Sequence, residues 1–465
     1  MKKHIATLTL GSSFAILVLL AASEHAVAAA PKPLTLGEAL AITQAHAQPV
    51  TAARATISSA QAQRLCAIAA FLPSLSLSDQ DQYYRPLQGA TSTVVAGTLV
   101  SAKHPFYNNA TTANFGFNVS NGGKDIANYH ASLESLESAN MGLGAALDSS
   151  FEQVLSDFEA LASDQATVAA QQRIVGLDLE IETLTAQRMA HQASSRIDLI
   201  EAQQQTLAAE TQLSQDRQLV LNDREQMERA MGYLASTADW QVEESLPPAP
   251  AVAPGRYPVQ QDPAVRSAYA QVLAAQQQVN SARAAFWPSV SLVAQYNLLG
   301  TSTTALDQAF MASQGNNYVM GISVSMPLLP FFNTVSAVDT AQANVETNLS
   351  TYQNALATAS SRAQSAYLQY QEAKQGYRLA TRSARLAHAN AQLTEARYQA
   401  HQSSRIDLDR ALLLTDQADL SSISTKLALR LAAWKLYRAA HPNKFVDALA
   451  AATGLPSSQP VAEHP

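Results

Sequence analysis

The 465-residue chain has a single cysteine, Cys66, so neither an internal disulfide nor a cysteine-based zinc cluster can form. Aromatic residues make up only 6% of a chain that is 47% hydrophobic; much of the apolar count is alanine, a good helix former that fills deep cores poorly. Glycine (17) and proline (19) are scarce for this length, leaving few places to turn. The chain lacks a basic excess: 30 Lys+Arg against 37 Asp+Glu gives a net charge of −7, which argues against a nucleic-acid partner. No stretch of 18 consecutive apolar residues follows the N-terminal segment. Also missing are a nucleophile–base signature, a Gly-rich phosphate loop and an HExxH motif. An enzyme is not expected, and nothing calls for a cofactor or a metal. Length alone would allow two to four domains of about 150 residues each.

What is present begins with an export signal. Lys2 and Lys3 precede a short apolar core at 14–22 (FAILVLLAA), and Ala26-Val27-Ala28 supplies a small-x-small cleavage site. Residues 1–28 are predicted to be removed, and no cysteine stands near that site to accept a lipid. An exported chain without a transmembrane helix is either soluble beyond the inner membrane or crosses an outer membrane as β-strands.

The sequence then states one pattern twice. Phe71-Leu72-Pro73-Ser74-Leu75-Ser76-Leu77 returns as Phe286-Trp287-Pro288-Ser289-Val290-Ser291-Leu292. Ser195-Arg196-Ile197-Asp198-Leu199 returns as Ser404-Arg405-Ile406-Asp407-Leu408, each after an Ala-His-Gln at 190–192 and 400–402. Two tandem halves are predicted, 34–240 and 262–440, joined by a Pro-rich linker at 241–261. Each half reads as an Ala/Gln-rich helical run (36–70, then 262–285), two alternating stretches around a polar loop, a very long helix, a polar turn and a second helix. Prolines are absent between Pro105 and Pro247 and between Pro330 and Pro442, which permits long rods. The run 122–190 would be a rod of roughly 100 Å. Val154, Phe158, Leu161 and Val168 fall on one face of it, so rods should pack side by side.

Period-two alternation marks the strands. In 289–298 the even positions are Val290, Leu292, Ala294, Tyr296 and Leu298, with only Val293 breaking the polar face. In 318–328 Tyr318, Met320, Ile322 and Val324 alternate with Gly321, Ser323 and Ser325; Ala113, Phe115, Phe117 and Val119 alternate with Asn114, Gly116 and Asn118. Strands of about ten residues, apolar outward and polar inward with terminal aromatics, are the signature of an outer-membrane barrel. Phe71, Tyr83, Phe286, Trp287, Tyr296 and Tyr318 are candidate membrane-interface aromatics. The first strand fits less well, because Leu75 and Leu77 lead in phase to Asp79 and Asp81; it is expected to be short, or bulged beyond Ser78. Four strands cannot close a barrel, so the protomer must associate. A periplasmic coiled-coil scaffold that is not a channel is the alternative; it accounts for the rods and the signal but not for paired strands at equivalent places in both halves.

This order of elements resembles the TolC-like outer membrane efflux protein family over nearly the whole mature chain. The resemblance is carried by Leu34-Thr35-Leu36-Gly37-Glu38-Ala39-Leu40, by the Phe-x-Pro-Ser-x-Ser-Leu motifs at 71 and 286, and by Tyr398-Gln399-Ala400 together with Ile406-Asp407-Leu408. It implies a mostly α protomer whose four strands contribute to a trimeric twelve-stranded barrel. It also implies a homotrimer in outer membrane lipid, with a helical tunnel in the periplasm, served by a periplasmic adaptor and an inner-membrane pump. The family's helix-turn tips usually read Tyr-x-x-Gly-Leu-x-Ser-x-x-Asp-Leu. Here His401 and Gln402 replace Gly-Leu, and by sequence the first tip holds one additional residue. The resemblance assigns adaptor contact to His191, Gln192, His401, Gln402 and Ser403; Asp407 and Asp198 are the candidates for selectivity at the periplasmic mouth, Asp407 at the position of the family's acidic ring. For Asp407 and Asp198 alike, the competing reading is a carboxylate in the first turn of a helix, favoured by the helix dipole. The tip histidines are read as solvated rather than metal-binding. Cys66 is expected on a packed helix face, Trp434 and Tyr437 are expected to anchor the last helix, and 441–465 is expected to be a disordered tail.

Overall fold

The computed structural model describes residues 32–85, 92–95, 98–101, 105–233, 240–242, 246–252, 257–328 and 331–454. The expected export signal and residues 455–465 of the expected tail lie outside the described residues.

Strand β1 (Lys32–Leu34) leads into α1 (Leu36–His46) through a capping box, in which Thr35 Oγ1 accepts from the Glu38 amide at 3.2 Å. The expected single run over 36–70 is two helices. Ala47 is extended (ψ 132°), and α2 (Gln48–Ala69) restarts with Pro49 in its first turn. Within one continuous helix the Pro49 ring would meet the carbonyl four residues earlier and leave it without a donor. Then come β2 (Ser74–Tyr84), a small hairpin of β3 (Ser92–Val95) and β4 (Thr98–Ser101), and β5 (Phe106–Asn121). The first rod pair is α3 (Lys124–Ala190) and α4 (Arg196–Met231). Strand β6 (Trp240–Val242) pairs in parallel with β1. The second half repeats the order with α5 (Pro263–Arg283), β7 (Ser289–Ser302), the short α6 (Leu306–Met311), β8 (Gln314–Ser325), α7 (Phe331–Gln399) and α8 (Arg405–Ala440). The long rods have 67 and 69 residues, about 100 Å each at 1.5 Å per residue. Both returning helices have 36 residues.

The four long strands form one antiparallel sheet in the order β2-β5-β7-β8, and the β5–β7 pair joins the two halves at its centre. Strand turns to rod at Gly122 and Gly123, with φ 70° and 86°. Gly122 is required twice over: its φ suits only glycine without cost, and a Cβ there would lie 2.5 Å from the Ala284 carbonyl oxygen.

The main core lies partway along the rods. Leu36 and Leu40 of α1, Phe151, Val154, Leu155, Phe158 and Leu161 of α3, Met227 and Met231 of α4, and Trp434 of α8 are all buried there. The linker crosses this core: Leu246 is buried, and Trp434 Nε1 donates to the Pro247 carbonyl at 2.9 Å. The tail departs from the expectation of disorder. Residues Phe445–Thr453 form α9, and its Phe445 and Leu449 are buried against Trp434. Apolar residues four apart give this short segment a face to bury, and Pro442 only ends the preceding helix. Cys66, expected on a packed face, is exposed in the protomer. Beside the core, Arg438 lies 3.8 Å from Asp148 and also contacts Glu152. Burial pushes the Asp148 carboxyl up to about 7, against the pull of Arg438.

Candidate functional site

The sheet has two chemically opposite faces. Register places Leu77, Ala113, Tyr296 and Tyr318 in one row across four strands, and Leu75, Phe115, Ala294 and Met320 in the next row on that face. Large apolar groups on it stand open, with Leu75 78%, Met320 79% and Ile322 70% exposed. A soluble protomer would bury such a patch. The other face is polar: Thr112 Oγ1 donates to Asn297 Oδ1 at 3.1 Å, and Asn297 Nδ2 donates to Asn317 Oδ1 at 2.6 Å.

Strand β2 is neither short nor bulged; it runs unbroken over eleven residues. Asp79 and Asp81 lie beyond the Leu77–Tyr296 row, toward the end of the sheet away from the rods. Asn109 Nδ2 donates to Asp79 Oδ1 at 2.8 Å and to Asp81 Oδ1 at 2.9 Å, and Thr111 Oγ1 donates to Asp79. Ser313, just after α6, donates to Asn109 Oδ1 and closes this polar network. The alternation is therefore kept while the environment changes along the strand.

The candidate aromatics fall at different levels. Phe71, Phe286 and Trp287 sit at the rod end of the sheet, where Phe71 meets Tyr129 edge to face at 6.3 Å. Tyr296 and Tyr318 oppose each other across β7 and β8. Tyr83 packs on Tyr107 at 5.0 Å, farther out still. From Trp287 to Tyr296 is about 30 Å along the strand, or about 23 Å of height at a tilt of about 40°.

At the far end of the rods the two tips have the same geometry. Ala193 N–H donates to the Arg188 carbonyl and Gln192 N–H to that of Met189; Gln402 N–H donates to Arg397 and His401 N–H to Tyr398. Both are Schellman turns with a left-handed residue, Gln192 at φ 57° and His401 at φ 56°. Gln192 is thus the structural counterpart of His401. The extra residue inferred from the Ala-His-Gln alignment is not in the turn, and His191 stands one position earlier, as the C-cap of α3. Left-handed backbone favours glycine, the residue that the resemblance places at 401. Gln192→Gly and His401→Gly should each stabilise the protein by about 0.5–1 kcal/mol, seen as a higher denaturation midpoint.

Each returning helix opens with a capping box. The Asp407 carboxylate accepts from Ser404 Oγ at 2.7 Å, from the Ser404 amide at 3.1 Å and from Ser403 Oγ at 3.3 Å. The Asp198 carboxylate accepts from Ser194 Oγ and the Ser195 amide, both at 2.8 Å. These hydrogen bonds hold both carboxyls below the ordinary aspartate range, led by the Ser404 hydroxyl for Asp407 and the Ser195 amide for Asp198. Within the protomer both aspartates are helix-capping groups.

Sequence reasoning missed the ion pairs behind the tips. Arg405 reaches Glu180 of α3 at 2.9 Å and Asp409 of its own helix at 3.0 Å. Arg173 of α3 meets Asp416 of α8 at 3.0 Å. Both pairs tie one hairpin to the other across 225 and 243 positions of sequence, beyond the reach of any local motif.

Comparison with known proteins agrees with this architecture. The family description "outer membrane efflux protein" matches residues 40–233 and 259–440, one match per half. Among solved structures, the fold is similar to that of the Campylobacter jejuni CmeC outer membrane channel, with TM-score 0.70 and 17% identity, covering 91% of this chain and 90% of that one. VceC, an outer membrane protein of Vibrio cholerae, gives TM-score 0.67 at 18% identity, covering 86% and 95%. The open-state MtrE outer membrane channel of Neisseria gonorrhoeae gives 0.66 at 17% identity, covering 87% and 88%. A sheet with one apolar face, tandem rod hairpins and a family match over both halves agree: the chain belongs to the outer membrane efflux protein family.

Proposed function

We propose that three copies of this chain form a passive duct through the outer membrane, loaded at its periplasmic mouth by an adaptor and an inner-membrane pump. The observation that carries this reading is the four-stranded sheet, whose outer strands β2 and β8 each have an edge with no partner strand among the described residues. Lipid does not tolerate open edges, and three copies give a twelve-stranded barrel wide enough for a pore. The apolar face would meet lipid and the Thr112–Asn297–Asn317 face would line the lumen. Phe71, Phe286 and Trp287 would lie at the inner interface and Tyr296 and Tyr318 at the outer one, a spacing that suits an apolar band of about 25 Å. Tyr83 would stand beyond the outer girdle. Leucines seven apart on α7, Leu379, Leu386 and Leu393, are exposed in the protomer, as are Ile200, Leu207 and Leu221 on α4. They are supplied for rod packing between copies. The duct performs no chemistry, and energy comes from the pump.

The tips, with His191, Gln192, His401, Gln402 and Ser403, would meet the adaptor. Around a threefold axis Asp407 becomes three carboxylates favouring cations. The experiment is to extract the outer membrane with detergent, recover a heat-stable trimer and record it in a planar bilayer. Cation-blockable conductance is expected, with block weakened about tenfold in Asp407→Asn. A freely soluble monomer without conductance overturns the duct; unchanged block in the variant retires the ring.

A further inference from the structure

The two hairpins are built alike but packed with different chemistry. Measured from their tips, equivalent positions differ by 209 residues, as Ser195 and Ser404 do. On α3 a heptad line runs Asp157, Asp164, Gln171 and Asp178, with Asp157 and Asp164 facing Asp223 of α4 and Gln171 donating to the Ala209 carbonyl; their counterparts on α7 are Ala366, Ala373, Ala380 and Ala387. On α4, Asp216 and Asp223 stand where α8 has Thr425 and Ala432. The first hairpin thus carries carboxyls along a line where the second carries almost only alanine.

Those carboxyls converge. In the antiparallel pair, Asp157 is opposite Asp223, and Asp164 lies between Asp223 and Asp216. Asp157 and Asp216 are 7% and 4% exposed. Each is steadied by a glutamine one turn earlier: Gln153 donates to Asp157 Oδ1 and Gln212 to Asp216 Oδ1, both at 2.8 Å. The second oxygen of Asp216 is buried without a hydrogen-bond partner. Asp164 and Asp223 face each other carboxyl to carboxyl across the helix pair. Burial first, and then Asp223 and Asp216, push the Asp164 carboxyl up to about 6; Asp157 and Asp178 are raised by burial. Among the charged groups around the line, Glu159 adds to it and is offset by Lys435 of α8, and Arg224 and Glu228 of α4 also make interactions there. Among the described residues no group of three His, Cys, Asp or Glu is arranged to hold a metal ion.

We propose that Asp157 and Asp164 of α3, packed against Asp216 and Asp223 of α4, form a proton-binding seam that holds the two helices together in mildly acidic surroundings and loosens the first hairpin, but not the second, when the protons leave. A carboxyl whose folded pKa is raised stabilises the packed state most below its unfolded value near 4. That contribution is lost as pH rises through the folded value, so here loosening falls between about pH 4 and pH 7. The inference rests on the fold alone, and its failure would leave the exit-duct reading untouched.

Hydrogen exchange on the purified full-length protein tests it, comparing α3–α4 with α7–α8 after correction for intrinsic rates. Protection of α3–α4 relative to α7–α8 should be about tenfold lower at pH 8 than at pH 5. The response should vanish in the variant carrying the second hairpin's residues, D157A/D164A/D216T/D223A. It should shrink in the near-isosteric D164N/D223N, which serves if the fourfold variant does not fold. Equal ratios at both pH values, or a response that survives both variants, overturns the proposal. So does protection restored at pH 8 by calcium or magnesium alone, which would make the seam a cation site.

Discussion

Ile322→Arg is expected to remove the protein from the outer membrane, whereas Ser323→Arg, one residue along the same strand, is expected to be tolerated. Ile322 lies on the apolar sheet face and is 70% exposed in the protomer. In a barrel that exposure is to hydrocarbon, where an arginine costs about 2–4 kcal/mol per strand near the midplane, and threefold assembly applies the cost three times. Ser323 points to the opposite, polar face, because strand side chains alternate with period two. The measurement is the amount of heat-stable trimer in detergent-extracted outer membrane for each variant. Loss of both, or survival of both, would mean that the two faces do not meet lipid and water as proposed.

The second large effect lies far from the membrane. Trp434→Ala should destabilise the protein by about 3–5 kcal/mol, the usual cost of emptying an aromatic site in a packed core. Trp434 is fully buried, stacks edge-on against Tyr437 and Phe445, and donates its indole N–H to the linker carbonyl of Pro247. One side chain therefore joins α8, the linker and α9. Trp434→Phe keeps most of the volume and should cost about 1–2 kcal/mol, largely for the orphaned carbonyl. Chemical denaturation gives both values. Limited proteolysis should show the segment after His441 released in the alanine variant first. A loss below about 1 kcal/mol for Trp434→Ala would show that the α9 contacts are not what holds this core.

Much of the architecture was legible from sequence because it rests on local periodicity. Strand alternation at 289–298 and the proline-free runs each need only near neighbours to be read, and β7, α3 and α7 appear where those patterns predict them. The disagreements have separate causes. The break at Ala47 follows from one proline ring meeting one carbonyl. Helix α9 forms because Trp434 offers Phe445 and Leu449 a surface, which no inspection of 441–454 alone reveals. The extra residue at the first tip came from matching Ala-His-Gln letter by letter, whereas the turn is defined by which backbone enters the left-handed region, Gln192 and His401.

The sequence by itself determined the repeat, the rods, the two-faced strands and the capping residues of the tips, since helix and strand periods and caps are properties of short segments. Tertiary structure alone decided how those segments meet. It set Asp79 and Asp81 beyond the apolar rows and gave them Asn109 as a partner, joined Arg405 to Glu180 across the hairpins, and gathered four aspartates between α3 and α4 where α7 and α8 bring alanines together. Such contacts join residues tens to hundreds of positions apart, and their energies depend on burial and register, which come into existence only when the chain has packed.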